Sequence, residues 1–320
     1  MPITFDWSET ISNLPGKPIP AAWLETKGKG VKIAFADTGA NLGIASLNHL
    51  DKAGRKFFTS APGFSVVKLT GQDAVGEAFG VAGSGHGSLY ASLLAGKTPE
   101  VAPDDRDLVT GIANDAEVFI IKTTDATGEI TTIKHLLAAL ELSANLGIEI
   151  FITGQCISRS EMQFEGITDV EINRVFNLPG VKRMFVFAPL KNRKTVAAWT
   201  DITTKNFPSH RAEVFNVAEF PEIFDQVSGS IKVQNIPFLL HGFVGKLLSK
   251  TGDSMDMDFS NSGAVTIMGG IAALALSSFK TQNAGALPGR DQFLQLLGNS
   301  CKPLPNSFGA TNAPSIFKNF

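Results

Sequence analysis

With two cysteines in 320 residues, the chain cannot build a disulfide framework, and the pair reads as free thiols of a reducing compartment. Charge is also sparse: 18% of residues are charged, against ~25% in an average soluble protein. The 28 basic and 30 acidic residues nearly cancel, so no net field gathers nucleic acid or an anionic membrane. Met1 to Trp7 has no basic stretch followed by an apolar one, so no secretory leader is visible and a cytoplasmic location is expected. No apolar run reaches the ~20 residues that cross a bilayer. The longest, Ala264 to Leu276, is interrupted by Thr266, Gly269 and Gly270 and reads as a buried core helix. Tyrosine is almost missing, one against 24 phenylalanines, and the pattern alone offers no reason for it.

What is present is apolar material, 43% of the chain, which suffices for a sizeable core. It is arranged in alternation. Val31–Ala36, Val118–Lys122, Ile148–Ile152 and Met184–Ala188 are short, nearly continuous apolar runs, the pattern of parallel strands covered on both faces. Between and after them come helix-like segments: Ser88–Ala95, Ile133–Leu146 stopping at Gly147, Val170–Leu178, Ala264–Phe279 and Arg290–Leu297. Residues 193–260 are less regular, with several short candidate strands. Strand–helix alternation predicts an α/β fold with a doubly wound, mostly parallel central sheet and helices on both faces. No linker, repeat or low-complexity tract divides the chain, so one domain over residues 1–320 is expected. Residues 1–27 would form an N-terminal docking segment and 300–320 a C-terminal extension.

Sites in such sheets lie at the carboxyl ends of the strands. Three polar residues stand where a buried element meets a turn: Asp37 after the first strand, His86 between glycines before a helix, and Ser262 at the mouth of the long apolar helix. A serine hydroxyl becomes nucleophilic when an imidazole takes its proton, and a carboxylate fixes the imidazole's tautomer. Singly, each has a plainer reading: Asp37 a turn cap, His86 structural, Ser262 an N-cap. Their order, Asp then His then Ser, is one of three known triad orders.

The residues around them resemble the subtilisin-like serine proteases, the subtilases. Gly28-Lys29-Gly30-Val31-Lys32-Ile33-Ala34-Phe35-Ala36-Asp37-Thr38-Gly39 resembles the family's GKGVxVAVxDTG. Gly85-His86-Gly87-Ser88-Leu89-Tyr90-Ala91 resembles GHGTHVA, and Asn261-Ser262-Gly263-Ala264 with Gly270-Ile271-Ala272-Ala273-Leu274 resembles the nucleophile motif TSMAxPHVAGxAAL. Ile19–Trp23 is similar to the stretch preceding the aspartate, and Gly111–Ala116 stands where the family has GVAPxA. Met184–Asn192 matches the strand and turn that deliver an oxyanion asparagine, which assigns Asn192 that role. The likeness runs from about Ile19 to Ser278 and is loose between Arg193 and Asp253.

The resemblance implies a serine endopeptidase with Asp37, His86 and Ser262 as triad, Asn192 at the oxyanion, and a peptide or protein as partner. Gly154-Gln155-Cys156 would line the substrate cleft, where the family usually has Ser-Leu-Gly. No cofactor is expected, and a structural calcium is conceivable but not indicated. Departures accompany the match: Leu89 for the second histidine, Asn261 and Gly263 beside the serine, and Thr266-Ile267 for Pro-His. They keep two alternatives open, an acyl-transfer or macrocyclase variant and a catalytically weak peptide-binding protein of this fold.

Other residues take plainer readings. Cys156 has no His or Asn close in sequence and reads as a cleft or buried thiol; Cys301 reads as structural, and a bridge between the two is disfavoured in a reducing compartment. Asp253, Asp256 and Asp258 lack the glycine and glutamate of an EF-hand and read as a solvated loop, as Asp104, Asp105 and Asp107 read as a surface turn. Gly80–Gly85 lacks the Lys-Ser/Thr of a phosphate loop. His210 and His241 have no evident partner in the sequence.

Overall fold

The run KIAFAD forms strand β1, Lys32–Asp37, which is paired in parallel on both sides. Alternation along it divides the core: Ile33 and Phe35 enter one apolar layer, Ala34 and Ala36 the other. The computed structural model describes residues 26–50, 57–60, 66–68, 85–97, 111–124, 131–160, 162, 165–190, 206–220, 238–241, 245–248, 254–257, 260–299, 301–303 and 314–316.

In chain order, β1 is followed by β2 (Phe57–Ser60), β3 (Val66–Lys68), α1 (His86–Ala95), β4 (Glu117–Lys122), α2 (Ile133–Asn145), β5 (Ile150–Thr153) and β6 (Ile157–Ser158). Next come α3 (Asp169–Phe176), α4 (Pro179–Arg183), β7 (Phe185–Pro189), β8 (Asn206–Phe207), β9 (Val214–Phe220), β10 (Phe238–His241), β11 (Gly245–Leu248) and β12 (Ser254–Met257). The last elements are α5 (Asn261–Gln282), α6 (Arg290–Asn299), β13 (Cys301–Pro303) and β14 (Pro314–Ile316). One ten-stranded sheet has the order β13-β14-β10-β9-β7-β5-β1-β4-β2-β3. Its pairings are parallel from β2 through β14, and the two edge pairs β2·β3 and β13·β14 are antiparallel. The expected doubly wound α/β architecture is what the chain adopts.

The strand order reverses around β1, with β4 on one side and β5 on the other, so the crevice beyond their carboxyl ends is a topological switch point. On one face α1, α5 and α6 supply an apolar layer that includes Leu93, Ile271 and Phe293; on the other, α2 and α3 supply Leu136, Leu140 and Ile172. Phe185 stacks on Phe293 at 3.9 Å between ring centroids, and Phe187 on Phe215 at 5.1 Å. Seven phenylalanines are among the largest fully buried side chains, in positions where a phenol would have to find a partner for its hydroxyl.

Two elements differ from expectation. The long helix spans 22 residues, beginning at Asn261 and passing straight through Gly269 and Gly270. A Cβ at Gly269 would run into the Ile152 side chain and one at Gly270 would lie 2.8 Å from Ile112 Cβ, so the glycines bring α5 close to its neighbours without breaking it. Among the described residues, α5 alone is long and apolar enough to cross a membrane, and it is almost wholly buried against β5, β7, β9 and α1. The second difference is Asp256. It was expected in a loop but lies in β12, opposite Lys246 of β11, because the alternating acidic and apolar residues pair as a hairpin. Asp253, Asp258, Asp104, Asp105 and Asp107 lie outside the described residues. The C-terminal residues 301–303 and 314–316 are strands of the main sheet.

Candidate active site

Asp37 is the last residue of β1, fully buried, its backbone carbonyl held by the Thr123 N–H at 2.8 Å and the Thr123 hydroxyl at 3.1 Å. Its Oδ1 accepts from the Thr38 N–H at 2.7 Å and lies 2.6 Å from His86 Nδ1. That contact assigns the Nδ1–H tautomer and leaves Nε2 as the basic nitrogen. Asp37 Oδ2 is buried without a hydrogen-bond partner among the described residues.

His86 opens α1 directly after Gly85, whose φ of 65° is left-handed backbone that glycine adopts freely. The next glycine is needed for contact. A Cβ on Gly87 would collide with the Gly39 carbonyl, and the Gly87 N–H donates to Thr38 Oγ1 at 2.9 Å. The Asp37-Thr38-Gly39 turn and the Gly85-His86-Gly87 turn are therefore pressed backbone to backbone, which brings the imidazole to the carboxylate.

Ser262 was weighed as an N-cap, but the cap of α5 is Ser260. Its Oγ accepts from the Gly263 N–H at 3.2 Å and its carbonyl from the Ala264 N–H at 2.9 Å. Ser262 thus lies inside the first turn, where backbone N–H groups have no intrahelical acceptor, and its own N–H has no partner among the described residues. Its side chain is 7% exposed as a residue, and its Oγ donates to the Gly154 carbonyl at 3.1 Å. Thr266, in the place of the family's proline, donates its hydroxyl to the Ser262 carbonyl at 2.8 Å.

Gly154 joins the three. It follows β5, its carbonyl receives Ser262, and a Cβ on it would collide with Asp37 Oδ2 and lie 3.2 Å from His86 Cε1. Asp37, His86 and Ser262, 225 positions apart at the extremes, converge on this one residue at the carboxyl ends of β1 and β5. Next to it, Gln155 is buried and Cys156 is a free thiol, half-buried, 3.9 Å from Ser209 Oγ. Asn192 lies outside the described residues.

One further residue of the site, Tyr90, does not stand out from its local sequence. Tyr90 stands its ring edge-on to His86 at 4.7 Å, and its hydroxyl meets Ser260 Oγ at 2.7 Å. It is the chain's single tyrosine, and that scarcity was the available sign. Elsewhere, His210 Nδ1 donates to the Asn206 carbonyl at 3.1 Å, and burial lowers its pKa below the ordinary 6.5. The His241 side chain lies outside the described residues. Among the described residues, no three of His, Cys, Asp or Glu gather as a metal site.

A doubly wound sheet carrying an aspartate, a histidine and a serine at its switch point has the architecture of the subtilisin-like serine proteases. Residues 28–162 match the model of the Subtilase family, Peptidase_S8. Two solved structures share the fold. One, described as the prenylagaramide maturation protease PagA, is 17% identical with a TM-score of 0.61, covering 92% of each chain. The other, a cold adapted subtilisin-like serine proteinase, is 14% identical with a TM-score of 0.58, covering 92% of this chain and 90% of that one. No curated protein matches. Residues 28–162 thus carry the sequence pattern of the subtilase family, and most of the chain shares the fold of the solved subtilisin-like proteases.

Proposed function

We propose that this protein is a serine endopeptidase that cleaves an extended peptide through Asp37, His86 and Ser262. The observation that carries the reading is the convergence on Gly154: the buried Asp37–His86 pair at 2.6 Å on one side of it and the Ser262 hydroxyl on the other. In the reaction His86 Nε2 takes the Ser262 proton as Oγ attacks the scissile carbonyl carbon. Asp37 holds the imidazolium that forms. The tetrahedral oxyanion is met by the Ser262 N–H, which has no partner among the described residues at the mouth of α5, and by the side-chain amide that the resemblance assigns to Asn192. Collapse passes the proton from His86 to the departing amine and leaves an acyl-enzyme. Water, deprotonated by His86, then releases the acid and restores the serine.

In the unliganded state the Ser262 hydroxyl donates to the Gly154 carbonyl, so catalysis requires it to turn its hydrogen toward Nε2 when substrate displaces that bond. The same contact favours the second reading, a subtilase-fold peptide binder in which the serine stays engaged. A fluorophosphonate probe separates the two. Wild-type protein should be labelled at Ser262 and hydrolyse a peptide library, and Ser262→Ala should do neither. No labelling of folded wild type, or labelling that persists in Ser262→Ala, would sink the endopeptidase reading.

A further inference from the structure

Thr123 sits just past the end of β4, fully buried, and none of the segments that carry the family resemblance includes it. Its N–H and its hydroxyl both donate to the Asp37 carbonyl, at 2.8 and 3.1 Å. The first bond continues the parallel register of β1 and β4, in which Asp37 faces Lys122, and it already satisfies that carbonyl. The hydroxyl bond is additional. A valine of nearly the same shape would fill the place without bringing a hydroxyl into the core.

The carbonyl that receives both bonds is one end of a peptide unit whose other end lies in the candidate active site. The Asp37 C=O and the Thr38 N–H belong to one planar amide. That N–H donates at 2.7 Å to Asp37 Oδ1, the oxygen that lies 2.6 Å from His86 Nδ1. A chain of hydrogen bonds thus runs from the Thr123 hydroxyl through this amide to the carboxylate and on to the imidazole. A second donor on the C=O end polarises the amide and strengthens its N–H as a donor, because linked hydrogen bonds reinforce one another. Planarity adds a mechanical effect. With its C=O held by two atoms of Thr123, the plane resists turning, and the Thr38 N–H stays aimed at Oδ1. Thr38 Oγ1 also accepts from the Gly87 N–H at 2.9 Å, so a turn of that plane would disturb the His86 loop as well.

We infer that Thr123 is a positioning residue, whose hydroxyl sets the Asp37 carboxylate, and through it His86, by way of the amide between Asp37 and Thr38. This rests on the reading of Asp37, His86 and Ser262 as the reacting groups. The Thr123 hydroxyl acts on the backbone of Asp37 and takes no part in proton transfer.

The test compares Thr123→Val, which keeps the N–H bond and loses the hydroxyl, with Thr123→Ser, which keeps both. Because the carbonyl retains one donor, Thr123→Val leaves no polar group unpaired there and should fold. Its maximal rate of fluorophosphonate labelling should fall about fivefold, the size of one hydrogen bond, with the half-saturating probe concentration unchanged. Thr123→Ser should restore the rate. In isotope-edited NMR spectra the Thr38 amide proton and the His86 Nδ1 proton should both move upfield in Thr123→Val, the direction of weaker hydrogen bonds, and return in Thr123→Ser. Labelling of Thr123→Val at the wild-type rate, an unmoved Thr38 amide proton, or a Thr123→Ser that behaves as Thr123→Val overturns the inference. If Thr123→Val does not fold, Thr123→Ala, which also lacks the hydroxyl, is measured in its place against the same criteria. If wild type neither labels nor hydrolyses, the endopeptidase reading fails on its own, and the two proton shifts decide the positioning role. Upfield movement restored by serine then upholds it, and unmoved shifts overturn it.

Discussion

The hydroxyls of Tyr90 and Ser260 lie 2.7 Å apart and tie α1, one turn beyond His86, to the N-cap of α5, the helix end that delivers Ser262. Because the Tyr90 ring also stands against His86, one side chain references both groups to each other. Tyr90→Phe keeps the ring and loses the hydroxyl. It should lower stability by about 1 kcal/mol and slow fluorophosphonate labelling less than Tyr90→Ala does. A denaturation series with Ser260→Ala and the double variant should return a coupling of about 0.5–1.5 kcal/mol; additive effects would mean the bond contributes nothing.

Gly154 leaves no space beside the carboxylate. Gly154→Ala would push a methyl group into Asp37 Oδ2 and toward His86, so the aspartate–histidine geometry must shift. Labelling of the serine is expected to slow by about 100-fold, since displacements near 1 Å cost that much, with the protein still folded. A circular-dichroism melt beside the labelling rate distinguishes this from simple unfolding.

The aromatic stack at α6 makes the opposite prediction. Phe293 is fully buried on Phe185 and far in sequence from the reacting groups. Phe293→Ala should cost about 3–5 kcal/mol of stability, read from denaturant midpoints, while the labelling rate of the molecules that stay folded is unchanged.

Acid sensitivity should trace in part to His210. Burial lowers its pKa, against the bond from Nδ1 to the Asn206 carbonyl, with Arg159 and Arg211 also lowering it and Asp169 raising it. A lowered imidazole takes up its proton more readily unfolded than folded. Its contribution to stability is therefore intact above about 6.5 and declines as pH falls from there through the lower folded value. In His210→Gln this decline should be absent, so the stability difference between wild type and variant should move in the variant's favour between about pH 7 and pH 5. Parallel curves over that range would contradict the assignment.

Much of this was legible where burial is complete. Strands β1, β4, β5 and β7 were readable because parallel strands covered on both faces lose the polar alternation and become plain apolar runs. Helix α2 ended where Gly147, at φ 65°, had been expected to stop it. The start of α5 was misjudged. Ser260, Asn261 and Ser262 are all good caps, and only the bond from Gly263 to Ser260 decides among them. Short strands such as β6, β8, β13 and β14 have two or three residues each, too few for a period, and β6, β8 and β14 exist through partners remote in sequence. For the site, the sequence pointed to Asp37, His86 and Ser262 through their surrounding turns. Tyr90 is marked in the sequence only as the single tyrosine, because its partner Ser260 lies 170 positions away.

Helix α5 also sets a problem of timing. Before it is covered, a newly made chain displays a 22-residue segment that by length and composition could cross a bilayer. Most of its cover, α1, β5, β7 and β9, precedes it in the chain, and α6, which also packs on it, follows. A ribosome therefore finishes most of the receiving surface before it releases the adhesive one. Circular permutants that place α5 first would reverse that sequence of events, leaving the segment to find membranes, chaperones or other copies of itself before its own sheet exists.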